Sequence, residues 1–273
     1  MKFGLIGHPI AHSLSPALFG AGYDRKYPYE LIQGEDFEAS YQRFLDGYDG
    51  INVTAPFKEL AFAKADILSD ECRLIKATNL LVKTPEGVRA YNSDFLGVRL
   101  WLQEVLHEPA KSTVLIVGCG GAGKAAAIAA ASLGLKVILM NRNRDKAAGI
   151  AESIRTMDGA PEAEVRQLDE FREWFRKSDI IIYNIPTSIP ALDELDGADF
   201  HGLSHNGGPQ HKFILEANYK NPSFSTLLID RMTSANPYAR YTEGKKWLLY
   251  QAVTGYKIFT GQAPDLAAME AII

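Results

Sequence analysis

Apolar and polar positions come in blocks along this chain. Phe3 to Ile6 is a short apolar run closed by Gly7, which predicts a strand followed by a loop. Residues 8–16, His-Pro-Ile-Ala-His-Ser-Leu-Ser-Pro, carry no apolar periodicity. Pro16 after Ser15 suits the first turn of a helix, where a missing backbone N–H costs nothing. Tyr29 to Gln33 reads as a second strand, residues 36–46 as a helix, and Gly50 to Thr54 as a third strand stopped by Pro56. Leu80 to Lys83 and Val88 to Tyr91 bracket Pro85-Glu86-Gly87, the composition of a hairpin turn.

After about residue 102 the pattern changes. Thr113 to Val117 is a continuous β-branched and aliphatic run, as expected of a strand covered on both faces. A glycine cluster follows it, then an alanine-rich helix to about Leu133, a strand over Val137 to Met140 and a helix over 145–156. Asp179 to Tyr183 and Phe213 to Leu215 read as further buried strands. Strand and helix alternating at this spacing predict a parallel, doubly wound sheet. Residues 236–273 are helical in pattern and are expected to give that sheet no strand and to pack back on the first part. Residues 186–212, rich in Gly, Pro, Asp and His, read as a long irregular loop. The fold class is therefore α/β with two domains. Residues 1–102 and 236–273 form an N-terminal α/β domain to which the C-terminal helices return, and 103–235 form the doubly wound domain.

Composition narrows the function. With 273 residues, 47% of them hydrophobic and 23% charged, the chain can bury two full cores. A formal net charge of -4 with scattered Lys and Arg argues against nucleic acid as partner. No stretch reaches the roughly 18 apolar residues of a membrane span. Cys72 and Cys119 lie far apart and match no metal or disulfide spacing, and the six histidines form no ligand motif. The N-terminus runs straight into a strand without an apolar leader, so a cytoplasmic protein is expected.

The chemistry begins at Gly118-Cys119-Gly120-Gly121-Ala122-Gly123, a G-x-G-x-x-G pattern. Alone such a pattern is weak. Here it lies between a buried strand and a helix, where glycines allow a tight turn and the helix N-terminus offers free N–H groups to a pyrophosphate. The next strand ends in Asn141-Arg142-Asn143-Arg144, with Lys146 beyond, and no carboxylate precedes Asp145. An acidic residue there would bind the 2′-hydroxyl of NAD, whereas a guanidinium suits a 2′-phosphate, so NADP is the expected cofactor of a Rossmann-type domain. In the first domain, Ser13 and Ser15, Lys58, Asn79 and Asp94 add polar groups at predicted strand ends, as a site for a polyhydroxylated acid would need.

In these motifs the chain resembles the shikimate dehydrogenase family nearly end to end. Gly7 to Pro16 looks like that family's serine loop, Asn52 to Glu59 like its lysine segment, Ala77 to Asn79 like its asparagine segment and Tyr91 to Gly97 like its aspartate motif. The glycine loop, the Asn-Arg-Asn-Arg turn, Glu216 to Tyr219, and the closing helix at 244–261 continue the resemblance. It implies NADP-dependent reduction of 3-dehydroshikimate to shikimate, in aromatic amino acid biosynthesis, by a monomer or homodimer. Lys58 and Asp94 would flank the reacting hydroxyl. Ser13 and Ser15 would bind the carboxylate, and Thr54, Asn79 and Gln251 the carboxylate or ring hydroxyls. Tyr219 would sit near the substrate. Gly118, Gly120, Gly121, Ala122 and Gly123 would hold the pyrophosphate, Asn141, Arg142, Asn143 and Lys146 the adenosine phosphate, and Asn184 would lie near the nicotinamide. Phe19-Gly20 stands where the family often has His-Asn, Ser93 where threonine is common, and Asn184 to Thr187 is a loose form of an Asn-Ala-Thr segment.

A positioned lysine can move the hydroxyl proton as hydride moves at the carbon. A carboxylate beside it favours the charged amine, so Asp94 is expected mainly to orient Lys58, a ready proton donor in the reducing direction. Other readings share the scaffold. They are a quinate/shikimate dehydrogenase or a relative acting on another cyclic acid, a folate-linked dehydrogenase, and a non-catalytic NADP-binding sensor. The serine loop and the Gln251 helix fit the folate reading poorly, and a sensor would be expected to lose Lys58 or Asp94 first.

Overall fold

A computed structural model describes residues 1–106, 112–159, 161–201 and 211–273. Two compact units are present, Met1–Gly97 with Leu248–Ile273, and Val98–Trp247.

In the first unit, β1 (Phe3–Gly7), α1 (Ser15–Gly22), β2 (Tyr29–Gln33), α2 (Phe37–Gly47), β3 (Gly50–Val53), α3 (Lys58–Lys64), β4 (Ile67–Leu68), α4 (Asp70–Ile75), β5 (Leu80–Thr84) and β6 (Gly87–Tyr91) follow in order, and α5 (Ser93–Val105) begins there. The sheet order is β2-β1-β3-β5-β6-β4. β1 runs parallel to β2 and β3, while β5 is antiparallel to β3 and to β6, its partner in the expected hairpin. Alternation of strand side chains gives the sheet two apolar faces. Ile6, Ile32, Ile51 and Leu81 meet Phe37, Tyr41 and Phe44 of α2 on one. Phe3 and Leu80 meet Leu18 and Phe19 of α1 and Leu249, Tyr256 and Phe259 of the closing helix on the other. Phe19 is fully buried among aromatic rings, 4.8 Å from both Tyr29 and Tyr256, which accounts for its apolar character.

The second unit contains β7 (Thr113–Val117), α6 (Gly121–Ser132), β8 (Lys136–Met140), α7 (Arg144–Arg155), β9 (Ala163–Arg166), α8 (Phe171–Lys177), β10 (Ile180–Tyr183), α9 (Pro190–Asp193), β11 (Lys212–Glu216), α10 (Thr226–Ala235) and β12 (Ala239–Thr242). α11 (Gly244–Thr260) starts in it and ends in the first unit, followed there by α12 (Leu266–Glu270). All six strands are parallel, in the order β12-β11-β10-β7-β8-β9, the doubly wound arrangement with its switch point between β7 and β10.

Two expectations need correction. Residues 236–273 do supply a strand: β12 pairs in parallel with β11, so the second unit extends to Trp247 rather than ending at 235, and it begins at Val98 rather than 103. A four-residue edge strand reading Ala-Arg-Tyr-Thr has one open side and therefore no apolar run to announce it. Nor is 186–201 simply irregular. α9 and a 3₁₀ turn at Gly197–Phe200 bury Leu192, Leu195 and Phe200, and Arg172 binds Asp199 through Nε at 3.2 and 3.0 Å. Arg231 further donates to the Leu195 carbonyl oxygen at 2.7 Å. Residues 202–210 of that stretch lie outside the described residues. Among the described residues, no helix is long and apolar enough to cross a membrane.

Candidate active site

The polar residues of the first unit gather at one edge of its sheet. Gly7 and Val53 end β1 and β3, Leu80 opens the antiparallel β5, and Tyr91 ends β6, so the loops carrying Ser13, Thr54, Asn79 and Asp94 all leave from that edge. In open sheets with parallel strands, ligands bind outside such carboxyl ends.

Lys58 is the first residue of α3 and Asp94 lies in the first turn of α5. Lys58 Nζ donates to Asp94 Oδ2 at 2.6 Å, with the two side chains 27% and 17% exposed. Neighbouring hydrogen bonds hold this pair in register. Thr78 N–H donates to the Lys58 carbonyl oxygen at 3.1 Å, and the Thr78 hydroxyl donates to the Tyr91 carbonyl oxygen at 2.5 Å. Asn92 Nδ2 donates to the Ala77 carbonyl oxygen at 3.2 Å, while its Oδ1 accepts the Phe95 N–H at 3.1 Å. A partly screened amine held against a carboxylate, still open to solvent, can give or take a proton from a bound hydroxyl.

Ser13 and Ser15 meet on the loop before α1. The Ser13 hydroxyl donates to Ser15 Oγ at 3.1 Å and accepts the Ser15 N–H at 3.2 Å. Thr54, half-buried, is tied by its N–H to the Ile6 carbonyl oxygen at 2.9 Å, beside the start of that loop. Its methyl fills the space over Gly7, where a Cβ would lie 2.4 Å away. Asn79 is 5% exposed, and its Oδ1 accepts the Ser93 N–H at 2.7 Å. Gln251 joins the same group, with Oε1 2.9 Å from the Ser93 hydroxyl.

In the second unit, Gly118 at the end of β7 takes φ +93°, and a Cβ on Gly123 would lie 1.9 Å from the Gly118 carbonyl oxygen, so only glycine permits this turn. Among the described residues, nothing lies within 4 Å of where a Cβ would stand on Gly120 or Gly121, at the N-terminus of the 12-residue α6, and Ala122 follows in its first turn. Across the switch point, Asn184 buries an Oδ1 that has no partner among the described residues. An open glycine turn, a helix N-terminus and an unpaired buried acceptor fit a dinucleotide.

Asn141 braces this loop, since its Oδ1 accepts the Cys119 N–H at 3.0 Å and its Nδ2 donates to the Asn143 carbonyl oxygen at 2.7 Å. Asn143 caps α7, accepting the N–H groups of Asp145 at 3.0 Å and Lys146 at 3.2 Å. Arg142, Arg144 and Lys146 are exposed. Tyr219 belongs to this second unit, on the turn after β11, and is half-buried. The fully buried Glu216 holds that turn, accepting the N–H groups of Ser223 at 2.5 Å and Phe224 at 3.3 Å and the Tyr241 hydroxyl at 2.6 Å. Burial raises both thiols, Cys72 and Cys119, to about 12, which makes them inert.

Residues 5–81 match the shikimate dehydrogenase substrate binding domain family, and residues 77–194 match the NAD binding domain family of D-isomer specific 2-hydroxyacid dehydrogenases. The NADP(+) shikimate dehydrogenase of Methanothermobacter thermautotrophicus is 34% identical over 279 residues, spanning 98% of this chain and 93% of that protein. This chain belongs to the shikimate dehydrogenase family. Among solved structures, the shikimate 5-dehydrogenase of Thermus thermophilus in complex with NADP(H) and shikimate is 25% identical with a TM-score of 0.78, covering 100% of this chain and 98% of that one. The quinate dehydrogenase of Corynebacterium glutamicum in complex with NAD, 22% identical with a TM-score of 0.82 over 100% of this chain and 98% of that one, shares the fold.

In this shikimate dehydrogenase family member, sequence reading passed over several residues that build the site. Asn52, inside β3, accepts the Tyr29 hydroxyl at 2.8 Å and donates to the Asn79 carbonyl oxygen at 3.3 Å. The Tyr256 hydroxyl donates to the Ser15 carbonyl oxygen at 3.2 Å. Burial, with the Tyr256 hydroxyl adding to it at Tyr29 and the Tyr23 hydroxyl at Tyr256, raises both phenols well above their ordinary range, so both remain neutral donors. A polar side chain in the interior of an apolar strand was the available signal for Asn52.

Proposed function

We propose that this protein catalyses the reversible reduction of 3-dehydroshikimate to shikimate with NADPH. The Lys58–Asp94 contact at 2.6 Å, at the loop-bearing edge of the first unit, carries the reading. Family membership and the likeness to a dehydrogenase holding NADP(H) and shikimate support it.

NADPH, when bound, supplies the hydride to the substrate carbonyl carbon. The chain's own residues do the rest. Ser13 and Ser15 offer two adjacent hydroxyls to the carboxylate of the substrate. Asn79 and Gln251 present amide nitrogens to ring hydroxyls. As the carbonyl carbon accepts hydride, Lys58 passes its proton to the carbonyl oxygen, which becomes the hydroxyl. In the oxidising direction the same amine takes that proton back. Asp94 keeps the ammonium aimed and accepts a hydrogen bond from the substrate. Gly118, Gly120, Gly121, Ala122 and Gly123 shape the pyrophosphate cradle, Asn141 and Asn143 set the turn, and Arg142 and Lys146 meet the 2′-phosphate. Asn184 Oδ1 accepts from the cofactor, and Tyr219 binds at the substrate's side of it.

A spectrophotometric assay of the purified protein, crossing shikimate and quinate with NADP and NAD, tests the assignment. Turnover is expected with shikimate and NADP. Lys58→Ala is expected to lower kcat by about 10²–10⁴-fold with little change in the shikimate KM. Undiminished turnover in that variant removes Lys58 from the chemistry, and turnover with quinate and NAD alone replaces the substrate and cofactor.

A further inference from the structure

Ser93 is fully buried, yet it is the point where two of the substrate-facing amides meet. Its backbone N–H donates to Asn79 Oδ1 at 2.7 Å. Because a backbone N–H can only donate, the atom facing it must be the amide oxygen, which turns Asn79 Nδ2 away from Ser93. Gln251 is fixed from its other end, with Nε2 donating to the Leu248 carbonyl oxygen at 3.1 Å, an atom that can only accept. Its Oε1 therefore faces the Ser93 hydroxyl, 2.9 Å away, a shorter approach than the 3.2 Å from that hydroxyl to Asn79 Oδ1. The single Ser93 hydroxyl hydrogen satisfies Gln251.

Helix packing makes this meeting possible. Ser93 and Gly97 stand one turn apart on α5, and Gln251 and Gly255 one turn apart on α11. A Cβ on Gly97 would lie 2.6 Å from the Gln251 backbone nitrogen, and one on Gly255 would lie 3.3 Å from Ser93 Cβ. Each glycine faces the other helix's polar residue, so the backbones approach closely enough for a serine to reach across.

We infer that Ser93 is a positioning residue for substrate: its hydroxyl locks the Gln251 amide, and its N–H locks that of Asn79, so that both side chains present N–H donors to the oxygens of the bound acid. The inference rests on the proposed activity only for where those donors point, and the lock itself is a property of the free protein. Without the hydroxyl, Gln251 Oε1 loses its donor and the amide can turn, offering an acceptor where the ligand needs a donor.

Steady-state kinetics on the full chain test this. Ser93→Ala is expected to raise the shikimate KM about tenfold, the order of one lost buried hydrogen bond, while kcat and the NADP KM stay within about threefold. Ser93→Thr, which keeps the hydroxyl, restores the KM. Gln251→Ala raises the KM on its own, and adding Ser93→Ala to it produces no further rise, since both remove one interaction. An unchanged KM in Ser93→Ala, or effects of Ser93→Ala and Gln251→Ala that multiply, overturns the inference. A second measurement needs no turnover. The two Gln251 side-chain N–H resonances of the ¹⁵N-labelled protein are expected to be well dispersed in the wild type and in Ser93→Thr, and to move toward free-amide positions in Ser93→Ala. Resonances that stay in place in Ser93→Ala overturn it even if the protein turns over some other substrate.

Discussion

Individual side chains that the proposed function assigns to a ligand are also used by the fold. Asn143 was expected at the adenosine phosphate, but its Oδ1 is spent on the first turn of α7. In the proposed function, what it offers a nucleotide is the placement of its neighbours. Arg142, exposed and one residue earlier, is in the proposed function the charged group left for a 2′-phosphate. Arg142→Ala is therefore expected to weaken NADP by about 10–100-fold, the loss of one or two charge-assisted hydrogen bonds. NAD should weaken less than about threefold, because it presents no phosphate there. Dissociation constants for both nucleotides, measured by fluorescence titration, check this, and equal losses would return Arg142 to the solvated surface. Lys58 and Asp94 were legible as candidate chemistry only through their motifs. A lysine after a strand and an aspartate in a helix's first turn are ordinary surface residues until packing sets them 2.6 Å apart.

Among the elements, the ones most easily read were those covered on both faces. Thr113 to Val117 is buried at every position, and its apolar run stands out accordingly. β9 and β12, at the two edges of the second sheet, read Ala-Glu-Val-Arg and Ala-Arg-Tyr-Thr and escaped notice, since an edge strand keeps one side polar. The crossing of α5 and α11 was equally hidden, because no local pattern tells that Gly97 faces Gln251. A methyl at Gly97 would press on the backbone of α11, and no rotamer change can relieve that contact. Gly97→Ala is expected to destabilise the protein by about 1–3 kcal/mol despite alanine's better helix propensity. It should also raise the shikimate KM by separating Gln251 from Ser93. Urea unfolding together with the kinetics reads both, and a variant as stable as the wild type would show that the helices have room to spare.

At the scale of the whole chain, each unit carries its own core, and the second carries an unusual charge within it. Lys212, on β11, has no exposed surface. Its Nζ donates to the carbonyl oxygens of Phe175 at 2.5 Å and Ser178 at 2.8 Å, at the end of α8. Burial lowers its pKa from 10.5 to about 7, against the opposing pull of Asp179 and Asp199. Below about pH 7 folded and unfolded chains both hold the proton, and the full cost of the buried charge is present. Between about 7 and 10.5 the unfolded chain keeps a proton that the folded chain has shed, so stability rises with pH. A neutral amine still supplies the two hydrogens that the two carbonyls need. Lys212→Met removes the titrating group, so the stability of the wild type relative to this variant is expected to increase from pH 7 to pH 10. Urea unfolding at a series of pH values measures it, and a constant difference would place the amine's titration outside that window.

The linear order of residues was enough to determine the buried strands and the helices between them, the parallel doubly wound half, the glycine turn between β7 and α6, and the absence of a carboxylate ahead of Asp145. Backbone periodicity and the φ freedom of glycine act over a few residues, so they leave their mark in a short window. Tertiary structure alone decided which hydroxyl meets which amide, that β12 completes the second sheet, and that Ser93 reaches Gln251, 158 positions away. Such distances follow from how whole faces of helices and sheets close on one another, the sum of many weak contacts that no short window contains.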